Sequence, residues 1–121
     1  MRIKKQYKYG LKFDSKLELY FYELLKENKI KFDFQVPYEL MPSFKYDGKV
    51  VRKCTLTIDF LIYKKNSEVA IVDTKGFQRP ENALRFKMLK YLLFTTKKQL
   101  PVYLPKNQKE CIGMIEILKK L

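Results

Sequence analysis

Apolar residues recur at helical spacing early in the chain. In "FDSKLELYFYELLKENKI", Leu17, Phe21, Leu24 and Leu25 share one face, which predicts a helix. Ser15 is suited to cap it, and Ser15 with Glu18 has the spacing of a capping box. "IKFDFQVPYEL" then alternates at Phe32, Phe34 and Val36, the period of a strand. Pro37 lacks an N–H, so it confines this strand to an edge or places a strand end there. "MPSFKYDGK" carries a proline and an Asp-Gly turn signal. "VVRKCTLTIDFLIY" predicts a long strand. Cys54, Leu56, Ile58, Phe60 and Ile62 fall on one face, and Thr55, Thr57, Asp59, Leu61 and Tyr63 on the other.

After a polar turn at residues 64–67, "EVAIVDTK" predicts a third strand. Pro80 opens a helical pattern with Leu84, Met88, Tyr91 and Leu92 on one side, and "LPVYL" predicts a short fourth strand. "NQKECIGMIEILKKL" predicts a closing amphipathic helix with Cys111, Ile115, Leu118 and Leu121 along its stripe, suited to core packing or to a dimer surface. The order α-β-β-β-α-β-α implies an α/β fold with an antiparallel meander. The fourth strand should run parallel to the third through the helical crossover. No repeat or linker divides the chain, so residues 1–121 read as one domain with a basic arm at 1–12.

Charge changes the picture. Lys and Arg total 26 against 13 Asp and Glu, a net charge of +13. A solvated lysine-rich surface is one account of it; a polyanionic partner, nucleic acid above all, is the other. The arm offers Lys5, Lys8 and Lys12 as candidate DNA contacts. There is no histidine, which removes Ser-His and Cys-His nucleophile pairs and His-ligated zinc. An enzyme with this composition must work with carboxylates, lysine or tyrosine, with or without a hard cation. Cys54 and Cys111 sit in apolar patterns and read as small buried residues. No apolar run approaches the ~20 residues of a membrane span, and the N-terminus has no secretory pattern, so a cytoplasmic protein with no membrane partner is expected.

The end of the third strand, "VDTKG", places Asp73 and Lys75 on one face. Folding the preceding hairpin about its turn sets Tyr63 near Glu68 or Val69, and Asp59 opposite Val72 or Asp73. In the second register two carboxylates stand side by side, with Cβ atoms ~4.5–5.5 Å apart, which is destabilising without compensation. A divalent cation between them supplies it, and Mg²⁺ binds carboxylate oxygens without needing histidine. Lys75 on that face would then orient the attacking water or stabilise charge on a phosphate. Taken singly, Asp59 also reads as an ordinary strand-end acid, Asp73-x-Lys75 as a surface pair and Glu18 as a capping residue.

In combination these residues resemble the PD-(D/E)xK nuclease superfamily with its αβββαβ restriction-endonuclease-like core, a mixed four-stranded sheet flanked by helices. The matching residues are Glu18 on the first helix, Asp59 in "LTIDFLIY", and Asp73 and Lys75 in "VDTKG". More narrowly, "YGLKFDSKLE", "FQVPYELMPSF", "TIDFLI" and "VDTKGF" look like a family of small phage proteins of this superfamily, a domain of unknown function related to phage junction-resolving endonucleases. The last motif has Asp where Glu is commoner, and Ile58 stands where a proline often precedes the middle aspartate.

The resemblance implies a Mg²⁺-dependent DNA endonuclease, with Mn²⁺ able to substitute, selective for branched DNA such as Holliday junctions in phage or prophage DNA processing. It implies Asp59, Asp73, the Thr74 carbonyl and Glu18 around the metal, the last directly or through water, and Lys75 at the nucleophile. Arg79, Arg85 and Lys87, leaving the active strand, would meet a phosphate backbone. Two cuts in a junction imply a homodimer. The other readings are a restriction, nicking or transposase-type nuclease, and a catalytically inert basic nucleic-acid-binding protein.

Overall fold

The computed structural model describes residues 5–74 and 80–121. A short hairpin comes first, β1 (Gln6–Lys8) and β2 (Leu11–Phe13), followed by α1 (Lys16–Glu27). Next are β3 (Lys31–Met41), a second small hairpin of β4 (Phe44–Tyr46) and β5 (Lys49–Val51), then β6 (Cys54–Lys64) and β7 (Ser67–Val72). Helix α2 (Pro80–Thr95), β8 (Val102–Tyr103) and α3 (Gln108–Lys119) complete the described elements. The central sheet is mixed and four-stranded in the order β3-β6-β7-β8, antiparallel except for the parallel pair β7–β8. It is an α/β fold, as the pattern implies, and Pro37 does lie on an edge strand.

The sheet separates two apolar layers. On one side Phe21 and Leu25 of α1 and Cys111, Met114, Ile115 and Leu118 of α3 meet Phe60, Ile62, Ala70 and Val72. On the other, Phe86, Leu89 and Leu93 of α2 meet Leu56, Ile58, Leu61 and Ile71. Of the α3 stripe, Cys111, Ile115 and Leu118 are therefore spent on the core, while Leu121 is exposed. Both cysteines are free, Cys111 buried and Cys54 half-buried.

Three expectations need correction. The long strand does not begin at Val50: residues 50 and 51 belong to β5, and the main strand starts at Cys54. The Asp47–Gly48 turn takes positive φ at both positions (50° and 74°), the form that closes a tight two-residue hairpin and pairs Tyr46 with Lys49. Secondly, α2 buries Phe86, Leu89 and Leu93 while Leu84 and Tyr91 are exposed. The helix carries apolar residues on more than one face, and the sheet selects the face that periodicity alone had not favoured.

The third concerns alternation. Phe60 and Ile62 face α1 and α3, yet Leu56 and Ile58, an even number of residues away, pack on the α2 side. Along β3, Phe32 and Phe34 likewise differ from Val36, Tyr38 and Leu40. Both strands change sides at the level of Gln35 and Asp59, where the paired register skips from Phe34↔Phe60 to Val36↔Ile58. Gln35 has φ 56°, a left-handed conformation that a non-glycine residue rarely takes inside a strand.

Candidate functional site

The β6–β7 hairpin decides the register. Its Lys65–Asn66 turn has positive φ at both residues (52° and 66°) and pairs Tyr63 with Glu68. A bulge at Val69 then moves the pairing by one residue, to Ile62↔Ala70 and Phe60↔Val72. Both registers considered from sequence thus occur in one hairpin. Continued past the end of β7, the second sets Asp73 opposite Asp59. The Asp59 N–H donates to Asp73 Oδ2 at 3.2 Å. Asp73 and Thr74 lie just beyond β7, not inside it, and the Asp73 N–H donates to the Tyr103 carbonyl of β8 at 3.0 Å.

Among the described residues, the buried polar or charged side chains are Glu18, Asp59, Asp73 and Thr74, each no more than 3% exposed. These four are the residues that the sequence assigned to a metal site. Acidic side chains are almost never fully buried unless paired or metal-bound. Thr74 clamps Asp59: its N–H and hydroxyl both donate to Asp59 Oδ2, at 2.8 and 3.0 Å. That use of the Thr74 amide and side chain was not legible from sequence.

Glu18 comes from the first turn of α1. Its N–H donates to Ser15 Oγ at 3.1 Å, as a capping box requires. Its carboxylate does not close the box on the Ser15 N–H; Oε2 accepts from the Asp14 N–H at 3.1 Å. Oε1 accepts from Gln35 Nε2 at 3.3 Å, and the same amide nitrogen donates to the Lys12 carbonyl at 3.2 Å. Gln35 was absent from the sequence-derived site. Its signal was a polar residue opposite Asp59 in the neighbouring strand, visible only once the register is known.

Burial, and then the Asp14 charge, raise the Glu18 carboxyl from the usual carboxylate range to about 7. Burial first, then the neighbouring Asp73 and Glu18 charges, push Asp59 well above its usual value. The donor set is carboxylate oxygen, which suits a hard cation. No three His, Cys, Asp or Glu side chains among the described residues converge as a ready metal cluster. Asp59 and Asp73 form a pair through the Asp59 N–H, and Glu18 is near enough for its charge to act on Asp59.

The remaining candidates are dispersed. Lys75 and Arg79 lie outside the described residues. Arg85 and Lys87 are exposed on α2, and Lys5 and Lys12 on the arm. Lys8 is also exposed, but its Nζ sits 2.9 Å from Glu23 Oε2, to which the Tyr9 hydroxyl donates at 2.7 Å. The arm is a hairpin folded onto α1, anchored where the fully buried Phe13 meets Tyr22 and Phe34.

A family model described as "Protein of unknown function (DUF1064)" matches residues 1–108. The chain belongs to this family. The matched span includes every element of the buried acidic site, from Asp14 to Tyr103, and leaves out most of α3. No curated protein and no solved structure matches the chain. None of the helices among the described residues is long and apolar enough to cross a membrane.

Proposed function

We propose that this protein is a divalent-cation-dependent endonuclease that hydrolyses DNA phosphodiester bonds, with branched DNA as its preferred substrate. One observation carries the reading: in a chain of net charge +13, the buried polar side chains among the described residues are three acids and the threonine that clamps one of them. A basic surface attracts a polyanion, and two buried carboxylates brought side by side offer the oxygen donors that a hard cation takes.

Asp59 and Asp73 would hold Mg²⁺ or Mn²⁺. When bound there, the cation would supply a polarised phosphoryl group and an activated water. Thr74 fixes the Asp59 carboxylate through Oδ2. Glu18, oriented by Asp14 and Gln35, would join the cation directly or through water. Lys75 is assigned to the attacking water or to the transition-state charge by the motif resemblance. The work belongs in the cytoplasm during phage or prophage DNA processing, and paired cuts in a junction call for a homodimer.

The test is cleavage of a four-way junction, a linear duplex and a single strand of matched sequence, in Mg²⁺, Mn²⁺ and EDTA. Metal-dependent cutting concentrated on the junction is expected. Equal cutting of junction and linear duplex would move the protein to the restriction or nicking class. Binding without cleavage in any metal would leave an inert DNA-binding protein.

A further inference from the structure

The β4–β5 hairpin rises from the edge pair β3–β6 between Met41 and Cys54. Residues 42–50 are all exposed, as are Arg52 and Lys53. Tyr46 is 72% exposed, Val50 66% and Phe44 44%, so neither face of this ribbon packs on a core. Two isolated strands are only marginally stable in water, and natural proteins seldom leave such a ribbon bare without a use. Its composition is biased too: Lys45, Lys49, Arg52 and Lys53 stand against a single acid, Asp47. Phe44 opposes Val51, Lys45 opposes Val50 and Tyr46 opposes Lys49, which puts a lysine on each face.

We infer that this ribbon is a DNA-binding arm that enters the major groove of duplex beside the cleavage site. The inference rests on the nuclease reading for the identity of that site. Charge complementarity selects the occupant. A second copy would bring the same four cations against one another, whereas a duplex offers phosphates on both walls of a groove. B-DNA's major groove, about 12 Å wide, admits a two-stranded ribbon. The reach also agrees. The ribbon's root at Cys54 is five residues along β6 from Asp59, about 17 Å at ~3.4 Å per residue. Its tip at Asp47–Gly48 lies at most about 40 Å from Asp59 along the extended chain. The arm would therefore grip DNA within roughly one helical turn, ~34–36 Å, of the bond being cut.

The experiment compares wild type with the variant Lys45→Ala/Lys49→Ala/Arg52→Ala/Lys53→Ala. A control, Lys106→Ala/Lys109→Ala/Lys119→Ala/Lys120→Ala, removes the same charge from the neighbourhood of α3. Binding of a fluorescent 30-base-pair duplex is read by anisotropy in EDTA across a salt series. The ribbon variant should lower the slope of log K against log salt by about two to four units, since each neutralised phosphate contributes about 0.9. Its Kd at 150 mM salt should rise at least tenfold, while cleavage at saturating protein keeps its rate.

A slope within half a unit of wild type, or an equal loss in the control, overturns the arm. Lys45→Glu/Lys49→Glu, which keeps the turn and the strand pairing, puts the same question if the fourfold variant fails to fold. Ribbon-dependent binding by a wild type that never cleaves sinks the nuclease reading and leaves the arm standing. Cleavage with ribbon-independent affinity does the reverse. A wild type that binds no duplex overturns both.

Discussion

Asp59 and Asp73 are held together by the backbone that carries them: the N–H of the first donates to the carboxylate of the second. Their proximity is therefore built into the fold, and the charge of Asp73 makes ionising Asp59 harder. Asp59→Asn and Asp73→Asn should each abolish cleavage yet raise Tm in EDTA at pH 8 by a few degrees, and should lose the Tm gain that Mg²⁺ gives the wild type. Differential scanning fluorimetry with and without Mg²⁺ reads both effects. Glu18 sets a pH dependence of its own. Its folded pKa, about 7, lies above its unfolded value. Between the two, the native state keeps a proton that the unfolded chain has released, so stability falls as pH rises through that window. Asp59 is shifted in the same direction. In EDTA the Tm should thus be higher at pH 5 than at pH 8. Glu18→Gln should flatten that decline in a thermal-melt pH series; an unchanged profile would remove Glu18 from the buried cluster.

At the scale of elements, Gln35 joins backbone and site. Its left-handed φ coincides with the level at which β3 and β6 change sides, and its amide reaches Glu18. Gln35→Gly, free to keep that φ, should hold Tm near wild type but cut cleavage, because the amide is gone. Gln35→Val should lower Tm by several degrees as well, a β-branched side chain being poorly suited to that conformation. Helix α2 gives a separate check. Leu89→Ala should cost about 2–5 kcal/mol in urea unfolding, whereas Leu84→Ser should stay within about 0.5 kcal/mol. Equal costs would contradict the face assigned to the core. These two elements also mark where the sequence was and was not legible. The α/β order, the edge position of Pro37 and the parallel fourth strand followed from period and turn chemistry. The buried face of α2 did not, because the helix offers more than one apolar face and only the sheet chooses. The change of sides at Gln35 was hidden because strict alternation assumes a regular strand. The acids were readable by type and order, but their register required the Val69 bulge, which no local pattern announces.

For the whole molecule, the surplus charge is basic and lies at the surface, while three acids, Glu18, Asp59 and Asp73, lie beneath it. Association with duplex DNA should accordingly be salt-steep, with log K falling several units per log unit of salt in an anisotropy titration; a slope near zero would point to a partner that is not a polyanion. Glu18, Gln35, Asp59 and Asp73 come from α1, β3, β6 and the segment after β7, far apart in the chain. The last of these is pinned by a bond to Tyr103 of β8. On a ribosome, where residues emerge from the N-terminus onward, Asp73 leaves the exit tunnel well before the strand that fixes it. The acidic centre is thus completed only once β8 has emerged, and a nascent chain that stops short of Tyr103 carries its carboxylates without the backbone anchor that fixes the second of them.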